Sequence, residues 1–361
     1  MTVSATVARP TSAAFHTLRV ADIESLTDDA VAVTFDVPAD LQEAYTFKPG
    51  QSLTLRRMID GRDHRRSYSI CAPAGQRPRI GVREVPAGLF SRWLVHELAV
   101  GDDIEVQTPT GAFTADPGQF ARHVMIAAGS GITPMMSIAS SVLANPGVQA
   151  TLFYGNRKLS SVMFAESLSD LKDSYGPRFD LFHVLSREPR DVELFSGRLD
   201  GERLRTLLTL LVPVADVDHF WLCGPFAMTA EAQRILAELG VPEDRVHREL
   251  FYVDEPPPQI HHVDAVASGQ TSDVTIVLDG RSSTTALPVD SSILDAAQEH
   301  RTDLPFACKG GVCGTCRALL VEGEVDMRRN YALEKAEVAA GFVLTCQSFP
   351  LSDEVTVDFD R

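Results

Sequence analysis

The period of hydrophobic and polar positions changes along this chain, and each change marks a different kind of element. From residue 15 to about 117 the apolar positions fall in short runs, AVAVTFDV, SLTLRRM, RSYSICA, RIGVREV and DIEVQTP, separated by Gly and Pro turns and interrupted by one helical stretch, LFSRWLVHEL. Short β-rich runs at this spacing predict a small antiparallel barrel. From residue 123 to 252, apolar strands (HVMIAAG, ATLFYG, FDLFHVL, HFWLCG) alternate with helical segments over 133–143, 162–172 and PFAMTAEAQRILAEL. That alternation predicts a parallel sheet with helices on its faces. Residues 254–270, DEPPPQIHHVDAVASGQ, have no periodicity and read as a linker. Beyond them VTIVLDGRSSTTALPV carries an Asp-Gly hairpin signal, followed by the helical run SILDAAQEH and a cysteine-rich loop. The predicted organisation is a flexible tail (1–14), a barrel (15–117), an α/β domain (118–253), the linker (254–270) and a C-terminal domain (271–361).

Totals narrow the class. A chain of 361 residues exceeds what one core usually supports, which agrees with the divisions above. An apolar content of 44% with 23% charged residues is that of ordinary globular domains. The formal charge of −16 argues against sequence-independent binding to nucleic acid or to anionic membranes, both of which require clustered Lys and Arg. The start, MTVSATVARPTSAAFHTL, lacks an apolar secretion segment, and the longest apolar stretch, LLTLLVPVA, is broken by Pro213; a cytoplasmic location is expected. Six cysteines in such a chain do not make a disulfide scaffold, yet four of them crowd into its last sixth.

That crowding has a chemical reading. FACKGGVCGTC and the later LTCQ set Cys308, Cys313, Cys316 and Cys346 in the order C-x4-C-x2-C and a distant fourth Cys, the spacing of a plant-type 2Fe-2S site. Two sulfide-bridged irons need four thiolates, three on one tight loop and one from a neighbouring strand. Gly310, Gly311 and Gly314 allow the loop unusual backbone angles, so that amide N–H groups can face the cluster sulfurs. A structural zinc site usually offers two C-x2-C knuckles or Cys and His pairs, and here there is one knuckle. Four plain buried thiols would be poorly placed on a glycine-rich polar loop.

Upstream, HVMIAAGSGITP runs from a strand into a helix, with Gly129 and Gly131 at the turn, Thr133 placed to cap and Pro134 at the first helical position. Backbone N–H groups at such a helix start form an anion site suited to a pyrophosphate. Pro134 stands where the third glycine of the dinucleotide fingerprint would be, so this motif alone is weak. After the second strand, where an acidic residue would grip an NAD ribose, the chain has Arg157; Ser186 and Arg187 follow the third. Cations there favour a 2′-phosphate and therefore NADPH over NADH. The alternative is that both arginines are solvated loop charges.

RRSYSI places Arg66, Tyr68 and Ser69 together on a barrel strand. With GLFS (Gly88 to Ser91), GSGITP and CGPFAM (Cys223 to Met228), it resembles the ferredoxin-NADP reductase family in order and spacing. The resemblance implies FAD on the barrel, NADPH on the α/β domain and, with the C-terminal cysteines, an α+β (β-grasp) ferredoxin domain. It implies that Arg66 contacts the phosphate side of the flavin, that Tyr68 stacks on its ring, that Ser69 bonds near N5, and that Gly88 and Ser91 hold the pyrophosphate. Cys223, Gly224 and Pro225 would lie where nicotinamide meets flavin, with Glu249 and Phe251 of RELFY closing over it; Ser69, Cys223 and Glu249 form the implied catalytic group. Cys223 could also be a plain buried strand-end thiol. The domain order narrows the resemblance to reductase components of bacterial oxygenases. Within these the run from CKGGVCGTC to LTCQS, with its MRRNYALE insert, is most similar to reductases that serve phenylacetyl-CoA epoxidases. Steroid-ring hydroxylase reductases share the layout.

A hydride carries two electrons and an iron-sulfur cluster takes one, so a group that can hold either must lie between them, and flavin is such a group. The expected partner is an oxygenase. Residues 271–361 hold 8 Lys and Arg against 15 Asp and Glu, a balance of −7, which would suit a basic docking patch. Two other readings are a regulatory redox sensor, which would need a basic DNA-reading element that is not visible here, and a self-contained flavin enzyme reducing a small molecule.

Overall fold

The computed structural model describes residues 15–59, 61–86, 88–251, 270–301, 303–333 and 335–361, with Arg62 described by its backbone alone. The expected tail (1–14) and the expected linker up to residue 269 lie outside the described residues. Among the described residues, 16–251 form one compact unit and 270–361 belong to the other.

In the first unit, six strands make one sheet: β1 (Phe15–Thr27), β2 (Ala30–Asp36), β3 (Ser52–Ile59), β4 (Arg62–Ser69), β5 (Arg79–Arg83) and β6 (Asp103–Gln107), in the order β4-β3-β6-β1-β2-β5. Pairs β1·β2, β2·β5, β3·β4 and β3·β6 are antiparallel. A bridge from Ile70 to Ile80 joins the two edge strands and rolls the sheet into a barrel. Alternation sends Val33, Phe35, Leu53, Leu55, Ile80 and Val82 inward, where each fully buried side chain contributes about 1.5–3 kcal/mol relative to exposure. Helix α1 (Leu89–His96) drives Phe90, Trp93 and Leu94 into the same core.

The same unit continues as a parallel sheet of β7 (Arg122–Ala128), β8 (Gln149–Asn156), β9 (Phe179–Leu185), β10 (His219–Cys223) and β11 (Val246–Glu249), ordered β11-β10-β7-β8-β9. Helices α2 (Ile132–Val142) and α3 (Ala165–Tyr175) pack on one face; α4 (Gly201–Leu211) and α5 (Phe226–Glu238) pack on the other. Strand alternation fixes this. Met125 and Ala127 join the α2/α3 core, whereas Val124 and Ile126 join the α4/α5 core. The strand order reverses between β7 and β10, and ligands bind at such a switch point beyond the carboxyl ends of the strands.

Three helix readings change. A 3-10 turn over Gly129–Gly131 feeds directly into α2, so Ile132 is its first residue, Thr133 its second and Pro134 its third. Thr133 does not cap the helix; its hydroxyl donates back to the Ser130 carbonyl at 3.1 Å. Helix α3 begins three residues later than the periodicity suggests, because Phe164 takes a left-handed conformation (φ 59°) just before it. Helix α4 has no counterpart in the sequence-based expectation: LLTLLVPVA reads as one apolar run, but Leu204, Leu207 and Leu208 form a helical stripe, and Asp200 caps it by accepting from the Arg203 N–H at 3.0 Å.

The second unit is an α+β domain. Strands β12 (Thr271–Leu278), β13 (Arg281–Pro288), β14 (Arg317–Glu322), β16 (Phe342–Leu344) and β18 (Glu354–Asp358) form a sheet ordered β13-β12-β18-β14-β16, while β15 (Val325–Met327) pairs with β17 (Ser348–Pro350). Strands β12 and β18 are parallel and the other pairs antiparallel. The β12–β13 turn is the hairpin that Asp-Gly predicts: Asp279 and Gly280 both have positive φ, 54° and 70°. The SILDAAQEH helix is short, α6 (Ile293–Ala297), with Ser292 as its cap. A second short helix, α7 (Lys335–Ala339), precedes β16. Cys316 and Cys346 are part of this domain's core.

Candidate active site

Ser69 ends β4 of the barrel, Cys223 ends β10 and Glu249 ends β11, so residues far apart in sequence converge at the carboxyl edge of the parallel sheet. Cys223 and Glu249 are register partners on adjacent strands, and the Ser69 hydroxyl donates to Glu249 Oε2 at 2.7 Å. Burial pushes the Glu249 carboxyl up to about 7, partly opposed by the Ser69 hydrogen bond. Burial, and then the nearby Glu249 charge, holds the Cys223 thiol well above its usual range, so it stays neutral. Phe251 is partly buried against the core beside this edge.

Two glycine turns meet here. A Cβ on Gly131 would stand 2.2 Å from the Cys223 carbonyl oxygen, and one on Gly224 would stand 2.7 Å from Met228 Cε and 3.2 Å from the Ala128 nitrogen. Only glycine lets the β7 turn and the CGP turn touch. Gly129 has φ 56°, and its carbonyl accepts from the Tyr154 hydroxyl at 2.9 Å. Pro225 occupies the capping position of α5.

On the barrel, Tyr68 is half-buried, its ring 6.4 Å from that of Phe90, and burial raises its hydroxyl pKa. Arg66 is exposed and donates to the Arg65 carbonyl at 2.6 Å. Ser91 is turned inward: its hydroxyl accepts from the Val85 N–H at 3.0 Å and donates to the Gly88 carbonyl at 3.4 Å. A Cβ at Gly88 would come within 2.7 Å of that hydroxyl. Ser91 therefore shapes the turn, leaving backbone N–H groups as the donors at the start of α1.

Beyond β8 and β9 the ladder runs on, with the Ser186 N–H donating to the Asn156 carbonyl (2.9 Å) and the Arg187 N–H to the Arg157 carbonyl (2.8 Å). Arg157 and Arg187 are thus neighbours, and both are exposed. Sequence reasoning missed Arg83. From β5 it donates to the Ser161 carbonyl at 2.6 Å and pairs with Asp29 at 3.2 Å, close to Gly129. No local signal ties an arginine in the RIGVREV strand to a loop so distant in sequence.

In the second unit the four loop cysteines face one another. Cys308 interacts with Cys313, and Cys316 with Cys346. These interactions, and backbone N–H groups of the loop, hold the Cys308 and Cys346 thiols below their usual range. The Gly310 N–H lies 3.3 Å from Cys308 Sγ. Among the described residues no group of three or more His, Cys, Asp or Glu closes as a single-ion site. Four thiols ringed by amide donors are the donor set that a 2Fe-2S cluster needs.

Residues 17–115 match the family described as an oxidoreductase FAD-binding domain, residues 125–234 an oxidoreductase NAD-binding domain, and residues 276–351 a 2Fe-2S iron-sulfur cluster binding domain. Over 353 residues the chain is 44% identical to one of the subunits of 1,2-phenylacetyl-CoA epoxidase from Escherichia coli (strain K12), covering 96% of this chain and 98% of that one. The chain belongs to this family of oxygenase reductase components. A second member, the ferredoxin reductase component of 3-ketosteroid-9-alpha-monooxygenase from Rhodococcus rhodochrous, is 30% identical over 95% of this chain and 96% of its own. The solved phthalate dioxygenase reductase shares the fold, with a TM-score of 0.58 at 24% identity over 96% of this chain and 98% of that one. As a family member the protein is an NAD(P)H-dependent oxidoreductase with FAD, NAD and 2Fe-2S domains. Among the described residues no helix is long and apolar enough to cross a membrane.

Proposed function

We propose that this reductase draws electrons from NADPH and delivers them, through its 2Fe-2S cluster, to an epoxidase acting on an aromatic acyl-CoA such as phenylacetyl-CoA. The observation that carries this reading is the junction of Ser69, Cys223 and Glu249 at the sheet edge, in a chain that also carries four facing cysteines. Bound flavin supplies the conversion between a two-electron hydride and single electrons.

The chain's own residues then have separate tasks. Tyr68 offers an aromatic face, with Arg66 and the N–H groups at the start of α1 beside it for phosphate. The Gly129–Gly131 turn admits the nucleotide pyrophosphate at the start of α2, and Gly224 and Pro225 keep the nicotinamide end clear of side chains. Cys223, a neutral buried thiol, acts by shape. Glu249 supplies a carboxylate where positive charge develops on the nicotinamide, and Ser69 orients it. Cys308, Cys313, Cys316 and Cys346 hold the cluster.

NADPH is preferred over NADH because Arg157 and Arg187 are adjacent, exposed cations beyond the second and third strands. Replacing both with Ala is expected to raise KM for NADPH by about 10- to 100-fold, the worth of one or two charge-assisted contacts, and to leave KM for NADH within about twofold. Equal effects on the two nucleotides would remove the argument. The partner assignment rests on the likeness to the epoxidase protein and on the acidic balance of residues 271–361. With NADPH the protein is expected to drive epoxide formation by a purified phenylacetyl-CoA epoxidase core and no turnover by a steroid-ring oxygenase, at a rate that falls as salt rises. The reverse selectivity would overturn the assignment.

A further inference from the structure

Gln347 follows the last cysteine of the loop. Its Nε2 donates to the Lys309 carbonyl and to the Cys346 carbonyl, both at 2.9 Å, and lies 3.6 Å from Cys346 Sγ. Two carbonyl acceptors require the nitrogen, not the oxygen, of the carboxamide at this position, and the N–H that bonds the Cys346 carbonyl is shared with the sulfur of the same residue.

The carboxamide is held from several sides. Gln347 Cγ lies 3.1 Å from where a Cβ on Gly311 would stand, and its backbone carbonyl accepts from the Arg328 N–H at 2.9 Å, within the MRRNYALE insert. Lys309, the residue it grips, has a positive φ of 52°, an unfavourable conformation for a non-glycine residue. The other end of Lys309 is fixed, with Nζ on Asp295 at 2.8 Å and on Gln298 Oε1 at 2.6 Å. Gln347 therefore joins the two parts of the site that the sequence separates, the C-x4-C loop and the fourth cysteine.

We propose that Gln347 is a positioning residue that raises the reduction potential of the cluster by sharing one side-chain N–H between the Cys346 carbonyl and the Cys346 sulfur while the other fixes the Lys309 carbonyl in the loop. Reduction adds negative charge that spreads onto the cysteine sulfurs, and a fixed N–H dipole stabilises the reduced form more than the oxidised one. The inference rests on the four cysteines holding a 2Fe-2S cluster.

The test is an EPR-monitored redox titration of the holoprotein against Gln347→Leu and Gln347→Glu. Both variants are expected to keep two irons per cluster and unchanged flavin reduction by NADPH, while the ratio of reduced to oxidised cluster at a fixed potential falls roughly three- to tenfold, further in the Glu variant. A ratio unchanged in variants with full iron would overturn the role of Gln347. Should the Leu variant lose iron, the Glu variant, which keeps the side-chain length and the contact with Gly311, carries the same test. Wild-type protein without iron would sink the cluster reading itself, an outcome separate from these.

Discussion

Cys346→Ser is expected to lower electron delivery to a one-electron protein acceptor such as cytochrome c by about 100-fold or more, with NADPH-driven bleaching of the flavin kept within about twofold. The reason lies in where the thiol sits. Cys346 comes from the connection after β16, and its neighbour Thr345 ties that connection to the loop, the Thr345 N–H and hydroxyl both donating to the Cys316 carbonyl at 3.1 and 3.0 Å. Removing the thiol takes away one of the four proposed cluster ligands while the flavin-bearing unit keeps every contact of its own. The comparison variant is Cys71→Ser: burial pushes that thiol up to about 12, it donates to the Arg79 carbonyl at 3.3 Å within the first unit, and both rates should survive its loss. Iron and sulfide content and the visible spectrum check the outcome. A Cys346→Ser protein that still passed electrons to cytochrome c at the wild-type rate would contradict the assignment.

The second large effect concerns Glu249. With its carboxyl near 7, the rate of flavin reduction by NADPH is expected to rise with pH through that value as the carboxylate forms beside the nicotinamide. Glu249→Gln should flatten the profile and slow the step by about 10- to 100-fold at pH 8. Ser69→Ala removes the hydrogen bond that lowers this carboxyl, so its inflection should move to higher pH. Stability follows the opposite course. The folded carboxyl holds a proton between about 4.5 and 7 that the unfolded chain has lost, so its contribution is full below 4.5 and disappears as pH rises through 7. Denaturant midpoints of the Gln variant should therefore gain on wild type as pH rises from about 4.5 to 7, and the difference should level off above that. A pH-independent wild-type rate would remove Glu249 from the chemistry.

How far these residues could be read from sequence differs from one to the next, for physical reasons. The cysteine loop was legible because Cys308, Cys313, Cys316 and the glycines lie within one short run, with only Cys346 distant, and the Asp279-Gly280 hairpin because both residues tolerate positive φ. The alternation of strands and helices was legible because burial on two faces imposes it. The α2 start was misread because Gly129–Gly131 form a helical turn of their own, which makes Thr133 an interior residue. Convergence of Ser69, Cys223 and Glu249 came from resemblance and not from periodicity, since nothing local joins three strand ends so far apart. Arg83 was invisible for the same reason, and Gln347 because its use depends on where the Lys309 carbonyl turns.

Electrons that enter as a hydride at the sheet edge and leave singly through the cysteine loop impose an order of events, which anaerobic stopped-flow mixing of the holoprotein with NADPH, with and without the oxygenase component, resolves. Flavin absorbance is expected to fall first, then cluster absorbance, with multiple turnovers only when the oxygenase is present. Fast internal transfer with no turnover that depends on the oxygenase would overturn this electron path.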